Sequence, residues 1–114
     1  LTVILSDAND DPVLAASSTR TMNEGLTATG FTATATDVDA GATQTYALLA
    51  DTATNDNSLF SIDGLSGALA FDAAPDFATP LDWDTDNTYD VQIEVTDNNG
   101  ATDTETYFIE VLDV

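Results

Sequence analysis

The sequence predicts an all-β domain, built as an antiparallel sandwich of about seven strands. Its 114 residues are enough for one domain with a buried core, and 43% of them are hydrophobic. The apolar residues fall in short alternating runs among 19 Thr residues, a pattern typical of strands. Turn residues separate these runs at sandwich spacing, and the polar outer face favours antiparallel sheets over a parallel βαβ arrangement.

The two most regular strands are predicted near the C-terminal end. Residues 88–96 alternate between apolar and polar side chains, and residues 102–112 do so again. The turn sequence DNNG at 97–100 separates the two runs, so we expect them to form a hairpin. The side chains expected to face the core are Tyr89, Val91, Ile93, Val95, Tyr107, Ile109 and Val111.

Shorter strands are predicted earlier in the chain. They are residues 13–17, residues 28–36 with Phe31, Ala33 and Ala35 inward, a run marked by Tyr46 and Leu48, and two runs with Phe60 and Ile62 and with Leu69 and Phe71. Residues 73–87 are predicted to form a long acidic loop that contains two prolines and the only Trp. Long ordered loops in compact domains are usually functional.

Charge restricts the partners of the chain. There are 21 acidic residues against one base, Arg20, and the formal net charge is −20. Nucleic acid and anionic membrane surfaces are excluded as partners, because both require a basic protein surface. A compact chain with this charge repels itself, so hard cations that bind oxygen ligands, such as Ca²⁺, are the expected complement.

The missing residue types exclude most other cofactors. The chain has no Cys and no His, which removes the usual ligands of zinc, haem, iron–sulfur clusters and copper. It also removes the thiol nucleophile and the imidazole base. Paired carboxylates can hydrolyse glycosides, but clustered acids in turns are better explained by calcium. We therefore predict that the chain is not an enzyme.

The acidic residues concentrate at turns between the predicted strands. Three clusters are Asp7-Ala8-Asn9-Asp10-Asp11, then Asp37-Val38-Asp39, and Asp76 with Asp82, Asp84 and Asp86, while Glu24 and Asp97 are single acids that could join them. Closely spaced carboxylates raise each other's pKa and destabilise a fold unless a cation lies between them. Several such segments together can supply the oxygens that Ca²⁺ needs. The alternative is that each cluster is an ordinary solvated turn capped by Asp or Asn.

The two ends of the chain resemble each other. Residues 1–8 (LTVILSDA) and 107–114 (YFIEVLDV) are both alternating strands that end in Asp and an apolar residue. Aligned without gaps, they place two Asp residues 106 positions apart, which predicts one period of a tandem repeat. We assign residues 1–6 to the last strand of a preceding repeat or to an N-terminal strand, and residues 7–114 to one repeat.

The order of these motifs resembles that of the cadherin repeat. The segments that carry the resemblance are DANDDP at 7–12, similar to the cadherin interdomain linker, MNEG at 22–25, TDVD at 36–39, TDNNG at 96–100 and VLDV at 111–114. The middle of the chain is more similar to repeats of large secreted bacterial adhesins of the repeats-in-toxin type, through FSID at 60–63, GAL at 67–69, PDF at 75–77 and DNTY at 86–89. The resemblance covers residues 7–114 and implies a seven-stranded antiparallel Greek-key sandwich of the cadherin or immunoglobulin kind.

The resemblance implies calcium ligands by position. Those implied for one Ca²⁺ at the top of the module are Asn9, Asp37, Asp39 and Asp97, with the Asp11 carbonyl. Those implied for ions shared with the preceding module are Asp10 and the Ala8 carbonyl. Glu24 is expected at the bottom, facing the next linker.

Two alignments remain open for the rest of the lower site. The segment LDWD at 81–84 matches the cadherin Leu-Asp-x-Glu motif with Asp in place of Glu. The segment PDFA at 75–78 matches the bacterial pattern but ends in Ala instead of an acid. Either Asp76, or Asp82 with Asp84, is therefore expected to complete the lower site.

The resemblance implies a calcium-binding structural repeat of an extracellular bacterial surface adhesin. Calcium would lock neighbouring repeats of the same chain into a stiff rod that supports adhesion to cells or surfaces, as in a biofilm. An alternative is that the module itself binds carbohydrate or another copy through the loop with Phe77, Trp83 and Tyr89. A third interpretation is that Trp83 only covers one end of the core.

Overall fold

The fold is an all-β sandwich, which confirms the predicted fold class. A computed structural model describes residues 10–37, 43–50, 52 and 54–114. Its strands are β1 (Val13–Leu14), β2 (Thr19–Asn23), β3 (Ala28–Thr32), β4 (Ala35–Thr36), β5 (Gln44–Leu48), β6 (Phe60–Ile62), β7 (Ala68–Phe71), β8 (Thr88–Asp97) and β9 (Thr102–Leu112), with a 3-10 turn at Asn57–Leu59. No helix within these ranges is long and apolar enough to cross a membrane. The predicted assignment of residues 1–6 lies outside the described residues.

The strands form a four-stranded sheet, a three-stranded sheet and a two-stranded pair. Their orders are β2-β9-β8-β5, β3-β7-β6 and β1-β4. All pairs are antiparallel except that β2 runs parallel to β9, with Thr19 opposite Phe108 and Asn23 opposite Leu112. Because parallel strands end on the same side of a sheet, Glu24 and Asp113 emerge side by side at one end of the sandwich.

The hairpin of β8 and β9 is confirmed, with Tyr89 opposite Ile109 in its register. The Asp97 carboxylate closes the turn, because its Oδ1 accepts the backbone N–H groups of Asn99 and Ala101, both at 2.9 Å. Gly100 adopts a φ of 91°, a left-handed conformation that glycine takes without steric penalty. The turn that the sequence predicts is therefore held by the side chain of its first residue.

The core lies between the sheets and contains the predicted inward faces of β8 and β9. Its fully buried members include Tyr89, Val91, Ile93, Val95, Tyr107, Ile109 and Val111. Aromatic rings from both sheets meet there, since Phe71 packs on Phe60 at 4.2 Å and edge-on against Tyr89 at 4.9 Å between ring centroids. Burial raises the pKa of Tyr107 to about 12, and its hydroxyl donates a hydrogen bond to the Ala15 carbonyl.

The N-terminal third differs from the sequence prediction. The strand expected over residues 13–17 is only the two-residue β1, and β2 follows where no strand was predicted. Met22 alone is buried among the five residues of β2, so the segment lacks the apolar alternation that identifies a strand. Pairing with β9 holds it instead.

The strand predicted over residues 28–36 is divided into β3 and β4. Ala33 lies buried between them, and its N–H donates to the Gly67 carbonyl at 2.8 Å. A Cβ on Gly67 would lie 2.5 Å from the Ala33 carbonyl oxygen, and its φ is 79°. Only glycine allows the two backbones to approach this closely.

Candidate metal centre

Three Asp side chains converge in the long loop between β7 and β8. One carboxylate oxygen from each of Asp82, Asp84 and Asp86 lies within 4.8 Å of the others. Among the residues that the structure describes, this is the one group of three acids that meets this distance. Asp82 is buried, and the other two are exposed. Carboxylate oxygens are the ligands that Ca²⁺ prefers, so the group has the right chemistry for a hard cation.

Asp82 also organises the backbone of this loop. Its Oδ2 accepts the N–H of Asp86 at 2.8 Å, and its Oδ1 accepts that of Asn87 at 3.1 Å. Thr85 and Asn87 have positive φ angles of 55° and 66°, which curl the chain around this carboxylate. The alternation of Asp with other residues from 82 to 86 therefore produces a compact turn rather than a strand.

The pKa values of Asp84 and Asp86 shift in opposite directions. The pKa of Asp84 is raised to about 6, mainly because its protonated form hydrogen-bonds to Asp82, with smaller effects of desolvation and of Asp86. The pKa of Asp86 is lowered, mainly by a hydrogen bond from the N–H of Thr88. Proton sharing of this kind relieves the repulsion between neighbouring carboxylates, and a bound cation relieves it in the same way.

A buried polar turn, which the sequence analysis did not identify, anchors the triad loop to β8. The Asp56 carboxylate accepts the N–H of Trp83 at 2.7 Å and that of Asp90 at 2.8 Å, while its own N–H donates to the Asp90 carbonyl. Burial raises the pKa of Asp56. Asn57 next to it exchanges two side-chain hydrogen bonds with the backbone of Gln92. The polar run Asn55-Asp56-Asn57 is the only sequence signal, and it is indistinguishable from a solvated turn.

A second group of acids surrounds Glu24 at the end of the module where β2 and β9 finish. Glu24 Oε1 accepts the N–H of Phe77 at 2.9 Å, and Oε2 accepts that of Val114 at 3.1 Å. Its carboxyl group also hydrogen-bonds to Asp113 and to Asp76. The N–H donors, Phe77 first, lower the pKa of Glu24, whereas the contact with Glu24 raises the pKa of Asp113.

The structure places the two sets of candidate acids in different groups. Asp76 lies with Glu24 and Asp113, whereas Asp82 and Asp84 lie with Asp86. The sequence analysis placed Asp86 in the third acidic cluster and Asp113 in the segment VLDV, but it assigned neither residue as a ligand. The parallel pairing of β2 with β9, which brings Asp113 next to Glu24, has no signal in the sequence.

The ligands predicted for the top of the module are less completely described. Asp10 and Asp11 are exposed, Asp37 is half-buried, and Asp97 is buried in the β8–β9 turn. Asn9 and Asp39 lie outside the described residues. The structure therefore leaves the predicted upper site as an expectation.

The solved structures that are similar to this chain include three cadherin structures. The extracellular cadherin domains 1–4 of protocadherin gamma B7 match with a TM-score of 0.74 and 27% identity, over 99% of this chain and 26% of that one. Domains EC1–4 of Drosophila N-cadherin match with a TM-score of 0.72 and 20% identity, over 93% and 25% of the two chains. The protocadherin gammaB7 EC3–6 cis-dimer structure matches with a TM-score of 0.64 and 23% identity, over 90% and 23%.

These similarities establish a cadherin-like fold. The chain spans about a quarter of the length of each of these structures. No family model and no curated protein matches the sequence.

Proposed function

We propose that this chain is a calcium-binding repeat that stiffens a tandem extracellular adhesin rod. The observation that carries the proposal is the contact of Glu24 with both Asp76 and Asp113 at one end of a cadherin-like sandwich. Asp76 and Asp113 each lie against Glu24, and neighbouring carboxyl groups need shared protons or a cation to relieve their repulsion. At the millimolar calcium of an extracellular medium, Ca²⁺ is the cation suited to such a site.

The position of this group favours a role in coupling modules. Ca²⁺ takes roughly six to eight oxygen ligands, and three carboxylates supply at most about six even if all bind through both oxygens. Asp113 and Val114 lie on the chain that leaves β9, so a following segment would approach the ion from outside. Ligands from that segment would fix the angle between modules, which is how an ion stiffens a rod.

The Asp82, Asp84 and Asp86 triad is proposed as a second cation site, contained in one loop. Its geometry needs no neighbouring module, since all three oxygens come from residues 82–86. A cation there would hold the loop that also carries Asp76. The upper ligands Asn9, Asp10, Asp11, Asp37, Asp39 and Asp97 remain part of the proposal through their resemblance to cadherin motifs.

The wider setting is also proposed. The bacterial motifs of the middle segment and the acidic composition favour a repeat from a large surface adhesin, outside the cell and without catalytic activity. Its partners are proposed to be neighbouring repeats of the same chain. Association between copies is a second possibility, favoured by the similarity to a structure described as a protocadherin cis-dimer.

A carbohydrate-binding role is not favoured. Trp83 is 47% exposed, so it does not serve as a buried cover of the core. Its indole N–H already donates to Asp90 at 3.2 Å. Trp83 also does not line the 380 Å³ cavity beside β7. A sugar platform would instead present a ring within a concave site.

Thermal unfolding in EDTA and across a calcium titration tests the proposal. At calcium 100-fold above the dissociation constant, one site adds about 2.7 kcal/mol to the free energy of unfolding, which raises the melting temperature by about 8–15 °C for a domain of this size. Magnesium at the same concentration is expected to do much less, because it demands a smaller octahedral site. An unchanged melting temperature in calcium would refute calcium binding by this chain.

Two variants assign the effect to a site. Glu24→Gln is expected to remove the calcium response of the lower group, and Asp84→Asn that of the triad. Glu94→Gln, on the half-buried outer face of β8, is the matched control because it also removes one negative charge. A calcium response that is as large in the variant carrying both Glu24→Gln and Asp84→Asn as in the parent chain would contradict the assignment of these two sites.

A further inference from the structure

A cavity of 380 Å³ lies beneath the long loop, beside the end of β7. Its floor is formed by the aromatic rings of Phe71 and Tyr89, which are almost fully buried. Leu59 and Pro75 form its walls, with the small side chains of Ala73 and Ala74 beside them. A cavity of this size and apolar character falls in the range of sites that bind small molecules or single side chains.

Two carboxylates stand at the edge of this cavity. Asp72 and Asp76 both line it and are exposed to solvent. Asp72 accepts a hydrogen bond from the Ser61 hydroxyl. A carboxylate has about four acceptor positions, so Asp72 can accept further donors from a ligand. An apolar floor with an acidic edge complements a cation carried on an apolar stem.

Large apolar side chains of the long loop are exposed to solvent. Leu81, which lines the cavity, is 68% exposed, and Phe77 on the same loop is 37% exposed. Large exposed apolar side chains on an otherwise highly charged protein favour a protein–protein contact at this loop. A partner protein that covers these side chains explains why they are apolar. A small molecule confined to the cavity would leave Leu81 exposed to water.

We propose that this cavity receives a Lys or Arg side chain of a partner protein, flanked there by apolar residues. The methylene stem packs on Phe71 and Tyr89, the charged head reaches Asp72 and Asp76, and the flanking residues cover Leu81. The net charge of −20 favours cationic partners over anionic ones at long range. This inference goes beyond calcium binding and does not rest on it; where Ca²⁺ occupies Asp76, Asp72 receives the charged head alone.

The test uses the intact chain and a short capped peptide in which Lys lies between Leu residues. Binding is followed by backbone amide NMR shifts in EDTA, so that no metal competes for Asp76. Saturable shifts are expected at Leu59, Ala73 and Leu81. The peptide with Gln in place of Lys is expected to bind at least tenfold more weakly, and added salt is expected to weaken the Lys peptide.

Two variants connect the binding to the cavity. Ala74→Phe fills the cavity from its exposed wall and is expected to abolish binding, while Asp72→Asn is expected to weaken it several-fold. Glu94→Gln is the control for lost charge and is expected to bind normally, and the melting temperature of each variant verifies that it is folded. Equal binding of the Lys and Gln peptides, shifts that map elsewhere, or full binding by folded Ala74→Phe would overturn the inference.

Discussion

Asp56 fastens the acidic loop to the four-stranded sheet, so its replacement by Ala tests how this loop is held. One carboxylate oxygen accepts the N–H of Trp83, and the other accepts the N–H of Asp90. The side chain is only 3% exposed, so water cannot readily take over either bond. Asp56→Ala is therefore expected to leave two backbone N–H groups without an acceptor and to loosen residues 82–86.

The size of the effect follows from these two bonds. A buried donor that loses its acceptor costs about 1–3 kcal/mol, so two of them cost about 2–6 kcal/mol. Removing a carboxylate that is itself partly desolvated offsets part of this cost. We expect Asp56→Ala to lower the free energy of unfolding by about 2–4 kcal/mol and Asp56→Asn, which keeps one acceptor oxygen, by about 1–2 kcal/mol.

Urea denaturation in EDTA, followed by far-ultraviolet circular dichroism, measures both losses. Asp63→Ala is the matched control, because Asp63 also accepts two backbone N–H groups, those of Leu65 and Ser66, but in an exposed turn. Water can replace an exposed acceptor, so the control is expected to lose less stability. A loss for Asp56→Ala no larger than that for Asp63→Ala would refute the reasoning.

Three further predictions concern pH and backbone geometry. The pKa of Asp84 rises from 3.8 to about 6 on folding, so Asp84 ionises at lower pH in the unfolded chain, and the free energy of unfolding declines as the pH rises from about 4 to about 6. Asp84→Asn should remove this decline when urea denaturation is repeated across the pH range. An unchanged dependence of stability on pH would contradict the assignment of the decline to Asp84. The pKa of Asp63 is lowered by the N–H groups of Ser66 and Leu65, so the ionised carboxylate stabilises the fold above pH 3.8, and this stabilisation is lost as the pH falls. Asp63→Asn should reduce the loss of stability at acid pH in the same urea titrations. A loss as steep as that of the parent chain would show that other groups cause it. Gly67→Ala should lower the free energy of unfolding by about 2–4 kcal/mol, because the added methyl group clashes with the Ala33 backbone. Gly100→Ala should lower it by only about 1–2 kcal/mol, because nothing lies within 4 Å of the added Cβ. Equal losses in urea denaturation would mean that the close approach of Gly67 to Ala33 is not what requires glycine.

The C-terminal half of the fold could be predicted because its pattern is strong and local. Strands β8 and β9 alternate over about ten residues each, and the turn at 97–100 joins them directly. Side chains at every second position then have only one way to bury themselves together. The register, the inward face and the turn therefore follow from neighbouring residues alone.

The N-terminal strands could not be predicted in the same way. Strand β2 buries a single side chain, Met22, and its stability comes from hydrogen bonds to a strand more than 80 residues away. Strands β3 and β4 are interrupted because the backbone of Gly67 packs against Ala33. Contacts between distant segments decide both features, and the local sequence carries no record of them.

Local sequence patterns were enough to predict the class of the fold, the acidic character of the chain and the position of its acids in turns. Alternation and turn residues act locally, so these conclusions need no knowledge of distant neighbours. The tertiary structure alone decided that Asp76 lies with Glu24 and Asp113 and that Asp82 and Asp84 lie with Asp86. The physical reason is that a parallel pairing of β2 with β9 and a buried carboxylate at Asp56 position these acids, and both depend on how separate segments pack together.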